Sequence, residues 1–191
     1  MELSELFNTY GSDKDRNGYT PIYHAVFKNL KDKPVDLLEI GIGTMLPGVM
    51  SSMQGYALPG YKPGGSLRAW RDFFPKGNIV GADIQWDTQF SEERIRTIIA
   101  DSGNREELDR RLGECTFDII IDDGWHWDEN QVKTMRNLWH RVRPGGYYVI
   151  EDILRDARIA TDLRPQIAEI VGSEGYFFLT EKKNILVASK V

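Results

Sequence analysis

Five short apolar segments, each with an acid or a glycine at or next to its end, alternate with helix-length amphipathic segments, and this alternation strongly constrains the fold. Near-continuous apolar runs are typical of parallel strands that are buried on both faces. Strands that alternate with helices predict β-α-β connections and a sheet covered on both sides. The five segments are VDLLEIGIG (35–43), NIVGADI (78–84), IRTIIAD (95–101), FDIIIDD (117–123) and YYVIED (147–152).

Two apolar segments near the C-terminus predict how the sheet ends. GYFFLT (175–180) and NILVASK (184–190) are separated by only three residues, which is too few for a crossover between parallel strands. They should therefore form an antiparallel hairpin at the sheet edge. We predict an α/β fold with a Rossmann-like, doubly wound, mostly parallel seven-stranded sheet and an antiparallel C-terminal hairpin strand. Apolar periodicity and capping residues predict helices over 66–74, 104–113, 128–142 and 162–173.

The length and the loop pattern predict one domain with a long insertion. The 191 residues are enough for a single core, and no repeat or linker divides them, so we expect one domain over 1–191. Residues 1–30 should form a helical segment that packs on this domain. The segment 44–65 is far longer than the roughly 2–6 residues of most βα loops. We expect it to be a lid or a substrate loop.

Charge and composition argue against two classes of partner, nucleic acids and membranes. The net charge of −5 argues against a nucleic-acid backbone as the main partner. No apolar run approaches the ~20 residues that span a bilayer, so no membrane partner is expected. The polar N-terminus and the single cysteine, Cys115, fit a cytoplasmic protein without an intramolecular disulfide. We expect the thiol of Cys115 to be buried.

Acidic residues and a histidine follow the fourth and fifth strands. Asp122 and Asp123 end one strand, while Glu151 and Asp152 end the next. These carboxylates should meet at the C-terminal edge, where open α/β sheets place their ligands. Carboxylate oxygens suit Mg²⁺ or Ca²⁺, and His126, three residues after an aspartate, is a candidate general base. Because aspartates are also common at strand ends and helix caps, simple acidic loop caps remain an alternative.

Glycines and acids at the earlier strand ends indicate a cofactor that contains adenosine. Glycines in EIGIG (39–43) allow the backbone to approach a ligand closely, although the third glycine of the dinucleotide fingerprint is missing. An acid after the second strand can bond ribose hydroxyls, and polar residues after the third can bond an adenine amino group. The absence of a following Lys and Ser/Thr excludes a P-loop. The ordered set is Glu39, Gly41, Gly43, Asp83, Asp101, Ser102 and Asp122.

Six segments between residues 10 and 153 share the pattern of one enzyme family. They are YGSDK (10–14), GYTPIY (18–23), LEIGIG (38–43), GGSLRAWRDFFPKGNIVGADI (64–84), IDDGWH (121–126) and PGGYYVIEDI (144–153). With these segments the chain resembles the class I S-adenosylmethionine-dependent methyltransferases. It is most similar to their metal-dependent sugar O-methyltransferases of the macrocin and mycinamicin type.

The resemblance implies a Mg²⁺-dependent O-methyltransferase that acts on a sugar hydroxyl of a glycoside, glycan or nucleotide sugar, with S-adenosylmethionine as methyl donor. It implies that Asp123, Glu151 and Asp152 bind Mg²⁺, and that His126 is the catalytic base. The residues that would surround S-adenosylmethionine are Gly41, Ser66, Asp83, Asp101 and either Asp123 or Asp122, with Tyr19 and Thr20 at its methionine end.

Three departures from the family pattern bear on the acceptor. Trp125 replaces a small residue, the family's large N-terminal domain is not expected within these 191 residues, and the segment after Asp152 is short. Alternatives to a sugar acceptor are a catechol or another vicinal diol. Alternatives to the activity are a nicotinamide-dependent oxidoreductase and a non-catalytic binding module with the methyltransferase fold. Because one small domain leaves the acceptor site open, we also expect a homo-oligomer that binds a small-molecule or glycan acceptor.

Overall fold

The computed structural model describes residues 1–57, 60–153, 157–180 and 184–191, and only the backbone of 157–162. The described strands form one sheet with the spatial order third, fourth, second, first, fifth, sixth, eighth and seventh. In chain order they are β1 (Asp36–Ile40), β2 (Asn78–Asp83), β3 (Ser91–Glu92), β4 (Ile95–Ile99), β5 (Phe117–Asp122), β6 (Val142–Ile150), β7 (Gly175–Thr180) and β8 (Ile185–Lys190).

The strand directions confirm a mostly parallel, doubly wound sheet. Strands β4, β2, β1, β5 and β6 are parallel, whereas β8 is antiparallel to both β6 and β7. The described sheet has eight strands rather than the expected seven, because the two-residue β3 pairs antiparallel with β4. A pair this short leaves no apolar periodicity in the sequence. The order also reverses between β1 and β5, which is where open α/β sheets form a ligand crevice.

The helices follow from caps and apolar faces in the sequence. Asn104 accepts a hydrogen bond from the Glu107 amide and starts one helix, and Gly113 ends it with a positive φ. No helix in the described part of the chain is long and apolar enough to cross a membrane. The helices are α1 (Leu3–Thr9), α2 (Thr20–Phe27), α3 (Gly65–Phe73), α4 (Arg105–Leu112), α5 (Asp128–Leu138) and α6 (Ala157–Val171).

The apolar core divides into two layers, one on each face of the sheet. Helices α1, α2 and α3 cover one face, where Trp70 contacts Phe7 and Tyr23 edge-on at ring-centroid distances of 4.9 and 5.0 Å. Helices α4, α5 and α6 cover the other face, with Met135 and Ile167 among the buried side chains. Both layers leave the strands buried on two sides, so the strand ends are held on a rigid base.

The segment 44–65 connects β1 to α3 at the C-terminal edge of the sheet. Asp87 accepts hydrogen bonds from the Thr44 hydroxyl at 2.6 Å and from the Met45 amide at 2.8 Å. The Tyr61 hydroxyl donates to main-chain oxygens near the end of β1, at 3.1 Å for Gly43. Both ends of the segment are therefore anchored beside the strand ends. Its role as a lid stays a prediction, and residues 58 and 59 lie outside the described residues.

Cys115 contradicts one sequence expectation. Its side chain is exposed rather than buried, because it lies in the turn between α4 and β5 and not within either element. The Arg96 guanidinium contacts its sulfur at 3.7 Å.

Candidate active site

The candidate site lies where β1, β2, β5 and β6 end. Backbone hydrogen bonds continue past the strand ends, from Asp123 N to Ile40 O at 2.9 Å and from Glu151 N to Asp122 O at 2.9 Å. Main-chain hydrogen bonds therefore fix the first residues that follow β5 and β6.

Three of the predicted side chains converge on one point. Ligand atoms of Asp123, His126 and Asp152 all lie within 4.8 Å of one another. His126 Nε2 is 3.3 Å from Asp123 Oδ1 and 3.8 Å from Asp152 Oδ2. This nitrogen is buried and has no hydrogen-bond partner among the described residues. Two carboxylate oxygens that meet at one point are donors that fit a divalent cation, and the imidazole nitrogen lies beside them.

Asp152 reaches this point through an unusual backbone conformation. Its φ is +49°, in the left-handed region that aspartate tolerates better than most residues. The Tyr19 hydroxyl donates to Asp152 Oδ1 at 2.5 Å and accepts from the Asp152 amide at 3.3 Å. Tyr19, which the resemblance implies at the methionine end of the cofactor, therefore orients a candidate metal ligand in this structure.

A buried lysine, Lys14, forms ion pairs with acids of the site. Its side chain is 1% exposed, and its Nζ lies 2.7 Å from Asp123 Oδ2, 2.7 Å from Glu151 Oε2 and 3.5 Å from Glu39 Oε1. Lysine is almost never fully buried unless it is paired. No role for Lys14 is predicted from the sequence, although this residue lies in the segment YGSDK (10–14). Because it holds one oxygen of Asp123, the other oxygen is left to face His126.

Glu151 stands apart from the three converging side chains. Its Oε2 contacts Lys14, its Oε1 accepts a hydrogen bond from the Tyr23 hydroxyl, and its main-chain oxygen accepts one from Gln131 Nε2 at 2.8 Å. Burial raises the pKa of the Glu151 carboxyl well above its usual range. In this structure Glu151 supports Lys14, and its role as a metal ligand stays a prediction.

The fourth predicted acid, Asp122, faces another direction. Its carboxylate is buried and accepts hydrogen bonds from the Tyr148 hydroxyl and the Gly124 amide, each at 3.3 Å. Burial raises the pKa of Asp122 to about 7. The four acids predicted to meet therefore face three directions. Asp123 and Asp152 face His126. Asp122 faces Tyr148, and Glu151 faces Lys14.

The pKa of His126 reports the charge of the site. Burial alone would lower this pKa, but the facing carboxylates of Asp123, Asp152 and Asp122 raise it to about 9. The imidazole is therefore cationic at neutral pH when no metal is bound, whereas a general base must be neutral. A divalent cation held by Asp123 and Asp152 would repel the imidazolium and displace its proton.

Lys14 and the buried acids balance one another only in part. Burial opposes the charge of Lys14, but Asp123, Glu151 and Glu39 raise its pKa well above the usual value. Burial likewise opposes ionisation of Asp123, yet Lys14 holds the pKa of that carboxyl below its usual range. Burial raises the pKa of Glu151 and Glu39, so the Asp123 carboxylate, which Lys14 keeps ionised, is the clearest negative charge that a positively charged ligand would meet.

The glycine turn after β1 is shaped by close backbone packing. Gly41 and Gly43 have φ values of +87° and +85°. A Cβ on Gly41 would lie 2.0 Å from the Asp123 carbonyl oxygen, and one on Gly43 would lie 2.2 Å from the Tyr61 hydroxyl oxygen. Asp83 holds the turn, since its Oδ2 accepts from the Ile42 amide at 2.8 Å. Three of the predicted cofactor residues are thus brought together at the crevice.

Other predicted cofactor residues are engaged within the protein. Buried Glu39 accepts hydrogen bonds from Ser66 Oγ and Trp70 Nε1, both at 2.6 Å. The Thr20 hydroxyl donates to Asp15 Oδ1 at 2.7 Å. These side chains fix the turn and the start of α2, so any contact with a cofactor would be additional to these bonds.

The two residues predicted at the adenine end lie after β4. Asp101 is exposed, and its Oδ1 accepts from the Gly103 amide at 2.8 Å. The hydroxyls of Ser102 and Thr134 share a hydrogen bond of 2.9 Å. Asp101 thus keeps free acceptor capacity toward solvent, whereas Ser102 is tied to α5.

Comparison with known proteins identifies the relatives of this chain. No family model matches it. It is 41% identical over 157 residues to mycinamicin VI 2''-O-methyltransferase of Micromonospora griseorubida, covering 80% of this chain and 36% of that protein. It is 40% identical over 157 residues to demethylmacrocin O-methyltransferase of Streptomyces fradiae, with the same two shares. The chain thus spans little more than a third of the length of these curated relatives.

Solved structures agree with the sequence relatives. The MycE methyltransferase of the mycinamycin biosynthetic pathway, in complex with Mg and SAH, has a TM-score of 0.78 and 33% identity, over 100% of this chain and 55% of that one. The structure of human N-acetylserotonin methyltransferase in complex with SAM has a TM-score of 0.55 and 16% identity, over 98% of this chain and 54% of that one. At this identity the likeness supports the fold alone. The resemblance to sugar O-methyltransferases and the Rossmann-like methyltransferase fold are therefore confirmed.

Proposed function

We propose that this chain transfers a methyl group from S-adenosylmethionine to a hydroxyl of a sugar, with the help of a divalent cation such as Mg²⁺. The observation that carries the proposal is the convergence of Asp123, His126 and Asp152 at the crevice of a methyltransferase fold. The names of the relatives and the Mg and SAH in the MycE structure support it.

The protein's own side chains supply positioning and proton transfer. Asp123 and Asp152 would hold the cation, with Lys14 and Tyr19 fixing their orientation from behind. Bound Mg²⁺ would lower the pKa of a sugar hydroxyl as it does that of water. His126 Nε2 lies beside the two carboxylates. In its neutral form the imidazole can therefore remove the proton of a sugar hydroxyl that is bound next to the cation.

The charge of the site favours this methyl donor. S-adenosylmethionine carries a positive sulfonium, which the Asp123 carboxylate, kept ionised by Lys14, would attract. The product of transfer has a neutral sulfur and loses this attraction, which assists its release. The turn with Gly41 and Gly43 allows close backbone approach, and Asp83 beside it has lone pairs left for ribose hydroxyls.

Two measurements test the cofactor and the metal separately. Calorimetry should detect binding of S-adenosylhomocysteine, and binding of NAD⁺ in its place would indicate an oxidoreductase instead. Asp152→Ala should abolish turnover but retain cofactor binding, because it removes one cation ligand. Asp118→Asn is the matched control. Asp118 lies near the start of β5, at the other end of the strand from the site, and pairs with Arg143 of β6. Full activity of the wild-type protein in excess EDTA would contradict the metal requirement.

Two further proposals concern the acceptor and the oligomeric state. The printed names of two further relatives, O-methyltransferases of Streptomyces olivaceus, include a rhamnosyl group, so we infer a neutral glycoside as substrate and not a catechol. Comparing methyl transfer to a glycoside with transfer to catechol tests this choice. We also expect a homo-oligomer in solution. A monomer in sedimentation velocity that is fully active at nanomolar concentration would exclude a role for a second subunit.

A further inference from the structure

Two tryptophans flank His126 and are exposed to solvent. Trp125 is 42% exposed and Trp127 is 60% exposed. Their ring centroids are 6.2 Å apart, and the ring planes meet at 45°. In contrast, Trp70 and Trp139 are buried in the two core layers. The exposed pair therefore contributes little to the core and presents a large apolar surface beside the candidate base.

The backbone holds these two rings on a fixed element. The Trp127 amide donates to Trp125 O at 2.9 Å, and Trp127 is the N-cap residue of α5. Its main-chain oxygen accepts from the amides of Asn130 at 2.8 Å and Gln131 at 2.9 Å. Gln131 in turn bonds the main chain of Glu151. The pair is thus linked through hydrogen bonds to the acids of the site.

We propose that Trp125 and Trp127 form a saccharide-binding platform that takes the apolar face of the sugar ring to be methylated. The inference rests on the proposed function and names its acceptor subsite. A pyranose carries C–H groups on its faces and hydroxyls around its rim. The C–H groups suit the negative face of an indole ring, and the hydroxyls of the rim would be left free for His126, the residue between the two tryptophans in the chain.

The charges nearby select the kind of sugar. Asp123 and Asp152 lie on the side that His126 Nε2 faces, so an anionic sugar would be repelled wherever the cation does not neutralise them. The tilt of the two rings leaves an angled surface, which suits a puckered ring better than a flat one. A neutral pyranoside fits both features.

Nuclear magnetic resonance of the indole N–H groups tests this subsite directly. The chain has five tryptophans, so it gives five indole signals, which Trp→Phe variants assign. The protein saturated with S-adenosylhomocysteine and Mg²⁺ is titrated with methyl α-L-rhamnopyranoside, and with sorbitol as an open-chain polyol control. We expect shifts of the Trp125 and Trp127 signals with the pyranoside only. The exposed Trp86 and the buried Trp70 should not move.

Kinetics gives a second readout. Trp127→Ala should raise the acceptor KM about tenfold, the upper range for one aromatic contact, while leaving the KM for S-adenosylmethionine unchanged. Trp127→Phe should recover much of the loss. Tyr176→Ala is the matched control, because Tyr176 is 59% exposed but lies on the edge strand β7. It is separated from β6 by β8, and its register partner Ser189 pairs with Tyr147 before the end of β6.

The outcomes separate the subsite from the proposed function. Failure of S-adenosylhomocysteine to bind by calorimetry would overturn the proposed function. Normal cofactor binding with no shift of either indole signal, with equal shifts from sorbitol, or with shifts at Trp86 alone would overturn the platform. An unchanged acceptor KM in Trp127→Ala would overturn it as well.

Discussion

Replacing Gly41 by alanine should force β1 and β5 apart at the candidate site. Gly41 has a φ of +87°, and a Cβ there would lie 2.0 Å from the carbonyl oxygen of Asp123 and 2.6 Å from its carbonyl carbon. Both are backbone atoms, so no flexible side chain can move aside. Relief of the contact must displace Asp123, whose carboxylate faces His126.

The cost of this substitution has two parts. A left-handed backbone conformation costs a residue with a Cβ about 1–2 kcal/mol. Forcing an extra carbon into a packed site costs about 1–3 kcal/mol more. We therefore expect Gly41→Ala to lower the free energy of unfolding by about 2–5 kcal/mol. For a chain of this length, that corresponds to a fall in Tm of about 4–20 °C.

Gly145→Ala isolates the close contact from the backbone cost. Gly145 has a φ of +79°, and a Cβ there would meet nothing within 4 Å. The Gly145→Ala variant should therefore lose only the free energy that the left-handed backbone costs, about 1–2 kcal/mol. This corresponds to a fall in Tm of about 2–8 °C. Thermal unfolding of the metal-free proteins by circular dichroism measures both values. Calorimetric titration with Mg²⁺ should then show weaker binding for Gly41→Ala and wild-type binding for Gly145→Ala.

Equal losses of Tm in the two alanine variants would refute the argument from close approach. A large loss of Tm in Gly41→Ala with unchanged Mg²⁺ affinity would refute the link between this contact and Asp123. In that case the strand ends would have separated without moving the carboxylate.

Three further predictions concern charged residues of the site. His126→Ala should lower the rate of methyl transfer by about 10²–10⁴-fold, the span of one general base, with cofactor affinity unchanged; near wild-type turnover would assign the histidine a structural role. Lys14→Met should lower the free energy of unfolding by about 3–5 kcal/mol, because it leaves buried carboxylates unpaired. The exposed Arg136, which pairs with Glu169 at 3.1 Å, is its control, and Arg136→Met should cost below about 1 kcal/mol; equal losses in chemical denaturation would contradict this. Burial raises the pKa of Asp122 from 3.8 to about 7, so the folded protein loses stability as the pH rises through that interval. Asp122→Asn should therefore raise the Tm at pH 8, and progressively less as the pH falls toward 4; a gain independent of pH would contradict the assignment.

The sequence by itself determined the sheet and the edge on which the site lies. Apolar runs that end in acids predict parallel strands, and parallel strands bring their C-terminal ends to one edge. The position of His126 three residues after Asp123 was enough to predict that the two side chains meet, since both lie on one short loop. These features depend on local periodicity and short separations, which a single sequence displays directly. The two-residue β3 escaped prediction because it is too short to show a period.

Only the tertiary structure decided which side chains complete the site. Lys14 contacts Asp123 across 109 positions of the chain, and Tyr19 contacts Asp152 across 133. No local pattern encodes such contacts, because they arise when α2 and the segment before it pack on the sheet. The structure also separated acids that are adjacent in sequence. Beyond the strand ends the alternation of side chains no longer applies, so backbone conformation, as at Asp152 with its positive φ, decides where each carboxylate faces.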